Sequence, residues 1–194
     1  MPDGTELLAD RWAPRAGDAT SSTTLPTALY RSPYGRRGMF GVIMGRLMAE
    51  RGFQVLIQST RGTFGSGGTF DPMRQDREDG LATLDWVGKQ PWFGGSIVLI
   101  GGSYLGYVQW AVADRLPPQV KAMVPQVTES ALTLEFLRKD GLSLETPFSW
   151  GVMTAGQERR GAFWTRCRYG SPSSSGSPMG VVSSRHPAHR CACT

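Results

Sequence analysis

Few residues in this chain could do chemistry, and Ser103 is set apart by its surroundings. It lies in Gly101-Gly102-Ser103-Tyr104-Leu105-Gly106, directly after the apolar run 96–100. A serine on a sharp strand-to-helix turn is lifted above the carboxyl end of its strand, and small neighbours let the strained backbone pass close by. The backbone N–H after the serine can then face an oxyanion as it develops. Those features suit nucleophilic acyl transfer. The motif reads G-x-S-x-x-G, with Leu105 where the second glycine of G-x-S-x-G would stand. Alone it carries little. The strand pattern before it and the helical pattern after it make Ser103 a candidate nucleophile rather than part of a plain connection.

The partners such a serine needs are scarce. Both histidines, His186 and His189, and all three cysteines, Cys167, Cys191 and Cys193, lie near the carboxyl end. Residues 1–166 therefore hold no disulfide, no thiolate metal site and no imidazole base. His186, His189, Cys191 and Cys193 are close in sequence, but an unstructured tail explains them better than a metal site. The glycine-rich stretch 61–71 places Gly62 and Gly67 at phosphate-loop spacing. Gly68 stands where the lysine would have to be, so nucleotide binding is not expected. No cofactor and no metal are expected.

Charge narrows the partners further. The formal net charge is +5, yet six arginines and no acid follow Glu158. The basic excess belongs to the tail, which argues against a nucleic-acid surface on the rest of the chain. No run approaches the roughly 18 apolar residues of a membrane span. The polar, acidic start does not read as a secretory signal, and a cytoplasmic protein is the expectation.

The elements that must position Ser103 follow from periodicity. Strands are expected over 5–12, 25–31, 53–59, 96–100 and 120–127, the last two fully buried. A polar loop covers 17–24 and a turn covers 32–35. A helix over 39–52 should bury Met39, Val42, Ile43, Leu47 and Met48 on one face. A second helix should begin at Asp71-Pro72, run to about Gln90 and turn Leu81, Leu84, Trp86 and Val87 inward. A third leads from the Ser103 turn to Asp114. Residues 129–165 read as amphipathic helix. The alternation of strand and helix predicts an α/β domain with a mostly parallel sheet.

Several ordered stretches then carry a resemblance. YRSPYGRRG, RGTFGSGGTFDP, EDGLATLDWVGKQPW, GGSYLG and PPQVKAMVPQVT, all within about residues 3–160, resemble the Xaa-Pro dipeptidyl-peptidase and cocaine-esterase-like (CocE/NonD) group of α/β-hydrolases. The family's G-x-S-Y-x-G turn accounts for Leu105. The resemblance implies a serine hydrolase that cleaves small ester, amide or peptide substrates through an acyl-serine intermediate. It implies Ser103 as nucleophile, with the Tyr104 backbone N–H and the Tyr34 phenol as oxyanion donors. Trp86, Trp92 and Trp110 are expected to pack. Arg61 and Asp79 are candidates to pair beneath the site or to serve an ordinary surface role.

Family members are several hundred residues long, and their triad Asp and His come later than anything matched here. The resemblance therefore implies a truncated α/β-hydrolase fold: a partial core over 1–128, the start of a helical cap over 129–165, and a disordered or out-of-frame tail over 166–194. A catalytically inactive remnant, or a subunit needing Asp and His from a second chain, is the alternative. The strand at 120–127 would be left as an open edge, prone to self-association. Arg, Ser, Pro, Gly, Cys and His crowd the tail without an acid, as a shifted reading frame in a GC-rich gene would produce. Resequencing should then reveal a shifted frame encoding Asp, His and a β-sandwich domain. An intact frame with this same tail in independent isolates would refute it.

Overall fold

The computed structural model describes residues 1–14, 25–130 and 145–158. Five strands form one sheet in the order β1-β3-β2-β4-β5. They are β1 (Ala9–Trp12), β2 (Thr27–Ser32), β3 (Gln54–Ser59), β4 (Ile97–Gly102) and β5 (Val120–Gln126). Only the β1–β3 pair is antiparallel; β3, β2, β4 and β5 run parallel. Helices α1 (Met39–Ala49), α2 (Asp76–Gly88) and α3 (Tyr104–Trp110) connect them, and α4 (Glu145–Gly156) follows. The α/β class with a mostly parallel sheet is as expected.

Central strands β2 and β3 are buried along their whole length, as parallel strands covered on both faces must be. Alternation then divides the core. Ala28, Tyr30, Val55 and Ile57 pack with Ala49 of α1 and with Leu105. Leu29, Leu56 and Leu99 face the other way and meet Leu84 and Val87 of α2 and Val112. Trp86 and Trp92 pack edge to face beside that cluster, 6.1 Å between centroids. Trp110 departs from expectation and is exposed on α3.

The face of α1 differs from the expected one, although Met48 does pack against the core. Gly41, Gly45 and Ala49 point inward, while Met39, Phe40, Ile43 and Leu47 are exposed. Trp12 of β1 lies flat against Gly45, where an added Cβ would come within 2.7 Å of the indole. A stripe of small residues lets the helix backbone approach the sheet, with Met44 and Met48 packing at its sides and the other bulky side chains left outside.

Other boundaries shift for local reasons. β1 starts at Ala9 rather than residue 5, because the Leu8 N–H binds Ser66 Oγ (2.9 Å) and the Glu6 carbonyl accepts the Gly67 N–H (2.8 Å). Those groups serve the glycine-rich loop instead of a neighbouring strand. Helix α2 starts at Asp76 rather than Asp71, because Met73 adopts φ 69° and its N–H is held by Asp76 Oδ2 (3.0 Å). Leu81 and Trp86 of α2 are only partly buried, while Gly80 and Thr83 join its inner face. The third helix ends at Trp110 and is followed by a 3-10 turn at Ala113–Arg115. β4 is buried only at alternate residues. β5 is largely exposed and, among the described residues, pairs on one side only. The expected helix over 129–165 is described at 145–156, and the expected tail lies outside the described residues.

The inward face of α1 sets a contrast. Gly45→Ala should cost about 1–3 kcal/mol by pressing on Trp12, whereas Ile43→Ser should stay within about 0.5 kcal/mol as a surface change. Urea unfolding of the two variants checks this, and the opposite order would place the apolar side inward.

Candidate functional site

Strand β4 ends at Gly102, and the chain turns at Ser103 with φ 55° and ψ −124°. This is a left-handed conformation that a non-glycine residue adopts only when its surroundings impose it. Gly101 has φ 151°, and an added Cβ there would collide with Leu105. A Cβ on Gly106 would collide with Thr128, just beyond β5. The Ser103 N–H donates to the Gln126 carbonyl at the end of β5 (2.8 Å), and the Ser103 carbonyl accepts from Gly106 and Tyr107 (2.9 and 3.0 Å). The residue is exposed, so a rigid backbone presents its hydroxyl at the surface. Tyr104 opens α3, where first-turn N–H groups lack intrahelical acceptors.

Gln109 ties the turn to the sheet. Its side-chain amide donates to the Leu105 carbonyl (3.0 Å) and accepts from the Val124 N–H of β5 (3.0 Å). One buried amide thus bridges the helix behind Ser103 and the strand beside it. Gln109 was not singled out from sequence, since a glutamine in a helix carries no signal until its neighbours are known.

Tyr34 comes from the turn after β2. Its N–H is held by Ser32 Oγ (3.1 Å), and Gly35 follows with φ 89°, where an added Cβ would come within 3.0 Å of the Phe64 ring. Arg36 secures this corner through the Phe64 carbonyl (2.6 Å) and Asp10 (3.2 Å). The phenol reaches the Ser103 hydroxyl. Burial raises the Tyr34 pKa above its ordinary 10.0, while hydrogen bonds with Trp150 and Ser103 pull it back. The structure therefore brings Tyr34, Ser103 and Tyr104 together at the carboxyl ends of β2 and β4.

The side chain of Tyr104 turns away from Ser103 toward α2. Its hydroxyl donates to Asp76 Oδ2, and Asp76 lies 3.8 Å from the buried Arg31 guanidinium. Burial and the Asp76 charge both push the Tyr104 phenol far above the ordinary tyrosine range. Tyr107 donates to the Met73 carbonyl (3.0 Å), so two phenols of α3 hold the loop before α2. Trp150 of α4 stacks on Tyr104 at 5.6 Å and 12°, and Phe70 packs against both rings at 6.2 and 6.1 Å. The result is an aromatic wall beside Ser103. Trp150, Phe70 and Asp76 went unrecognised in the sequence because their distances from residue 103 along the chain hide the contact.

The family comparison is specific. The X-Pro dipeptidyl-peptidase (S15) family matches residues 3–166. The chain belongs to this family. Cocaine esterase of Rhodococcus sp. (strain MB1 Bresler) is 31% identical over 159 residues, which is 79% of this chain and 27% of that protein. Among solved structures, an aminopeptidase from a marine sediment Thaumarchaeota archaeon is similar, with TM-score 0.56 and 25% identity over 66% of this chain and 24% of that one. A CocE/NonD family hydrolase from Staphylococcus aureus gives TM-score 0.53 and 25% identity over 63% of this chain and 25% of its own. The chain spans about a quarter of the length of these relatives. Its strands and helices form part of an α/β-hydrolase fold.

Arg61 and Asp79 do pair in this S15 family chain. Arg61 Nε and Nη2 grip the two Asp79 oxygens at 2.9 and 2.6 Å, and Nη1 reaches Asp3 (2.6 Å) and Thr5 (2.7 Å). The Asp79 side chain is 3% exposed and that of Arg61 13%. Bonding to Asp79 raises the Arg61 pKa further. The pair fastens the loop that ends at Phe70 to α2 and to the amino-terminal segment. No cluster of metal-ligating side chains occurs among the described residues, and none of their helices is long and apolar enough to cross a membrane. His186, His189 and the cysteines lie outside the described residues.

Asp79→Ala leaves the Arg61 guanidinium largely buried without its bidentate partner. It should destabilise the fold by about 3–5 kcal/mol, the range for halving a buried ion pair. Chemical denaturation measures this; a loss below about 1 kcal/mol would make the pair a surface interaction.

Proposed function

We propose that Ser103 is the acyl-accepting nucleophile of a serine hydrolase that cleaves small ester, amide or peptide substrates. The observation that carries this reading is the Ser103 hydroxyl raised at φ 55° between β4 and α3, facing the Tyr34 phenol. In the reaction, Ser103 Oγ adds to the substrate carbonyl carbon and its proton passes to a base. The carbonyl oxygen becomes an oxyanion held by the Tyr104 N–H and the Tyr34 O–H. Collapse of that adduct expels the protonated alcohol or amine and leaves acyl-Ser103, which water then hydrolyses. A phenol held above its ordinary pKa stays protonated and keeps donating at neutral pH. The printed names of the relatives, an esterase and an aminopeptidase, support the substrate class.

A second reading has its own support. No histidine precedes His186 in the sequence, so no imidazole base for Ser103 stands among the described residues. On this reading the chain by itself does not turn over, and Asp and His must be supplied from elsewhere. A site missing a triad member keeps only the residual contribution of its oxyanion donors and binding, on the order of 10³–10⁴-fold. The edge of β5 that is unpaired among the described residues is where a further strand or a second copy would join the sheet.

A fluorophosphonate probe tests the first reading. The folded chain should label slowly, and Ser103→Ala should abolish the labelling. Because burial raises the Tyr34 pKa above its ordinary 10.0, its ionisation should cause no loss of labelling rate as pH rises from 7 to about 9. Label that persists in Ser103→Ala would sink the nucleophile assignment, whereas folded protein that takes up no label would favour the second reading.

A further inference from the structure

Trp150 reaches the site from α4, 116 residues beyond Tyr34, and its indole N–H donates to the Tyr34 phenol oxygen at 2.9 Å. An indole nitrogen can only donate, and a phenol oxygen has one proton and two lone pairs. The bond therefore fills one lone pair and leaves the phenol's own proton free for another acceptor. We infer that Trp150 is a positioning residue for Tyr34: its N–H turns the phenol proton toward the space above Ser103, so the oxyanion site is complete only when α4 is seated. This rests on the acyl-transfer reading given above and names a device within that same site.

Three further contacts make the bond more than an accident of proximity. The Trp150 ring is fixed by stacking on Tyr104 at 5.6 Å, and the Tyr104 phenol is itself anchored on Asp76. Beyond the end of α4, Gln157 Nε2 donates to the Pro33 carbonyl (2.8 Å), one residue before Tyr34. Glu158 accepts the Phe64 N–H (2.8 Å), and the Phe64 ring lies against Gly35, one residue after Tyr34. The α4 segment thus grips the Tyr34 turn on both sides and meets its hydroxyl in the middle. Donating to a phenol oxygen also polarises its O–H, which makes it a stronger donor to an oxyanion.

Trp150→Phe keeps an aromatic ring for the stack and removes only the N–H. With ring-fluorinated tyrosine in place of tyrosine, fluorine NMR follows each phenol, and Tyr34→Phe assigns the Tyr34 signal. In Trp150→Phe the Tyr34 midpoint should rise by roughly 0.5 to 1 pH unit, the loss of one hydrogen bond to the phenolate, with the midpoints of tyrosines that do not touch Trp150 unmoved. An unchanged midpoint in a folded variant overturns the inference. Phosphonate labelling supplies the functional arm. Trp150→Phe should slow Ser103 labelling by about threefold to tenfold and should have no effect in a Tyr34→Phe background. An equal loss in both backgrounds means that Trp150 touches the reagent directly and refutes a role through Tyr34. If nothing labels, the acyl-transfer reading alone falls, and the titration still decides the role of Trp150. Should Trp150→Phe fail to fold, the indole N–H resonance of Trp150 is followed in Tyr34→Phe instead. It should shift and exchange faster with solvent; an unmoved resonance overturns the inference.

Discussion

A single left-handed residue governs this molecule. Ser103 sits at φ 55°, a conformation that costs about 1–3 kcal/mol for a residue with a Cβ. It persists because every way of relaxing it is blocked. Gly101 and Gly106 have no room for even a methyl group. The Ser103 N–H is committed to β5 and its carbonyl to the first turn of α3. Gln109 then locks α3 against β5 from below. The sheet and helix do not merely carry the turn; their register is what makes an otherwise unfavourable bend the lowest state available.

Tyr104, the residue after that bend, joins two parts of the fold. Its backbone opens α3. Its side chain is drawn back to Asp76 and sandwiched by Trp150. Asp76 is the residue at which α2 begins, so the helix on one face of the sheet and the turn at its carboxyl edge are joined through a phenol. Phe70, delivered by the loop that Arg61 and Asp79 fasten, closes the wall. Aromatic rings bury large area while a few polar tips find partners, and here those tips are what tie separate elements to the site.

Much of the architecture was legible because it depends on local pattern. The runs 53–59 and 96–100, the glycines around residue 103 and the turn 32–35 all specify their conformation through period, β-branching or permitted φ. The apolar spacing of α1 misled, because the glycine and alanine stripe has the same helical period, and only the flat ring of Trp12 decides which stripe faces inward. The start of α2 misled for a related reason. Asp71-Pro72 is a sound start signal, but Asp76 and Tyr104 together hold Met73 in a conformation that no helix can include.

What the sequence by itself determined, then, was the order of strands and helices, the serine at the bend and its tyrosine neighbour, since each is written within a few residues of chain. The meeting of Tyr34 with Ser103, the closure of the aromatic wall by Trp150 and Phe70, and the bidentate grip of Arg61 on Asp79 were decided by tertiary structure. These contacts join residues from 18 to 80 positions apart. Sequence spacing fixes direction over one helical turn or one strand, but a hydrogen bond needs two heavy atoms within about 3 Å. Only the packed sheet, with its helices seated, fixes distance to that tolerance.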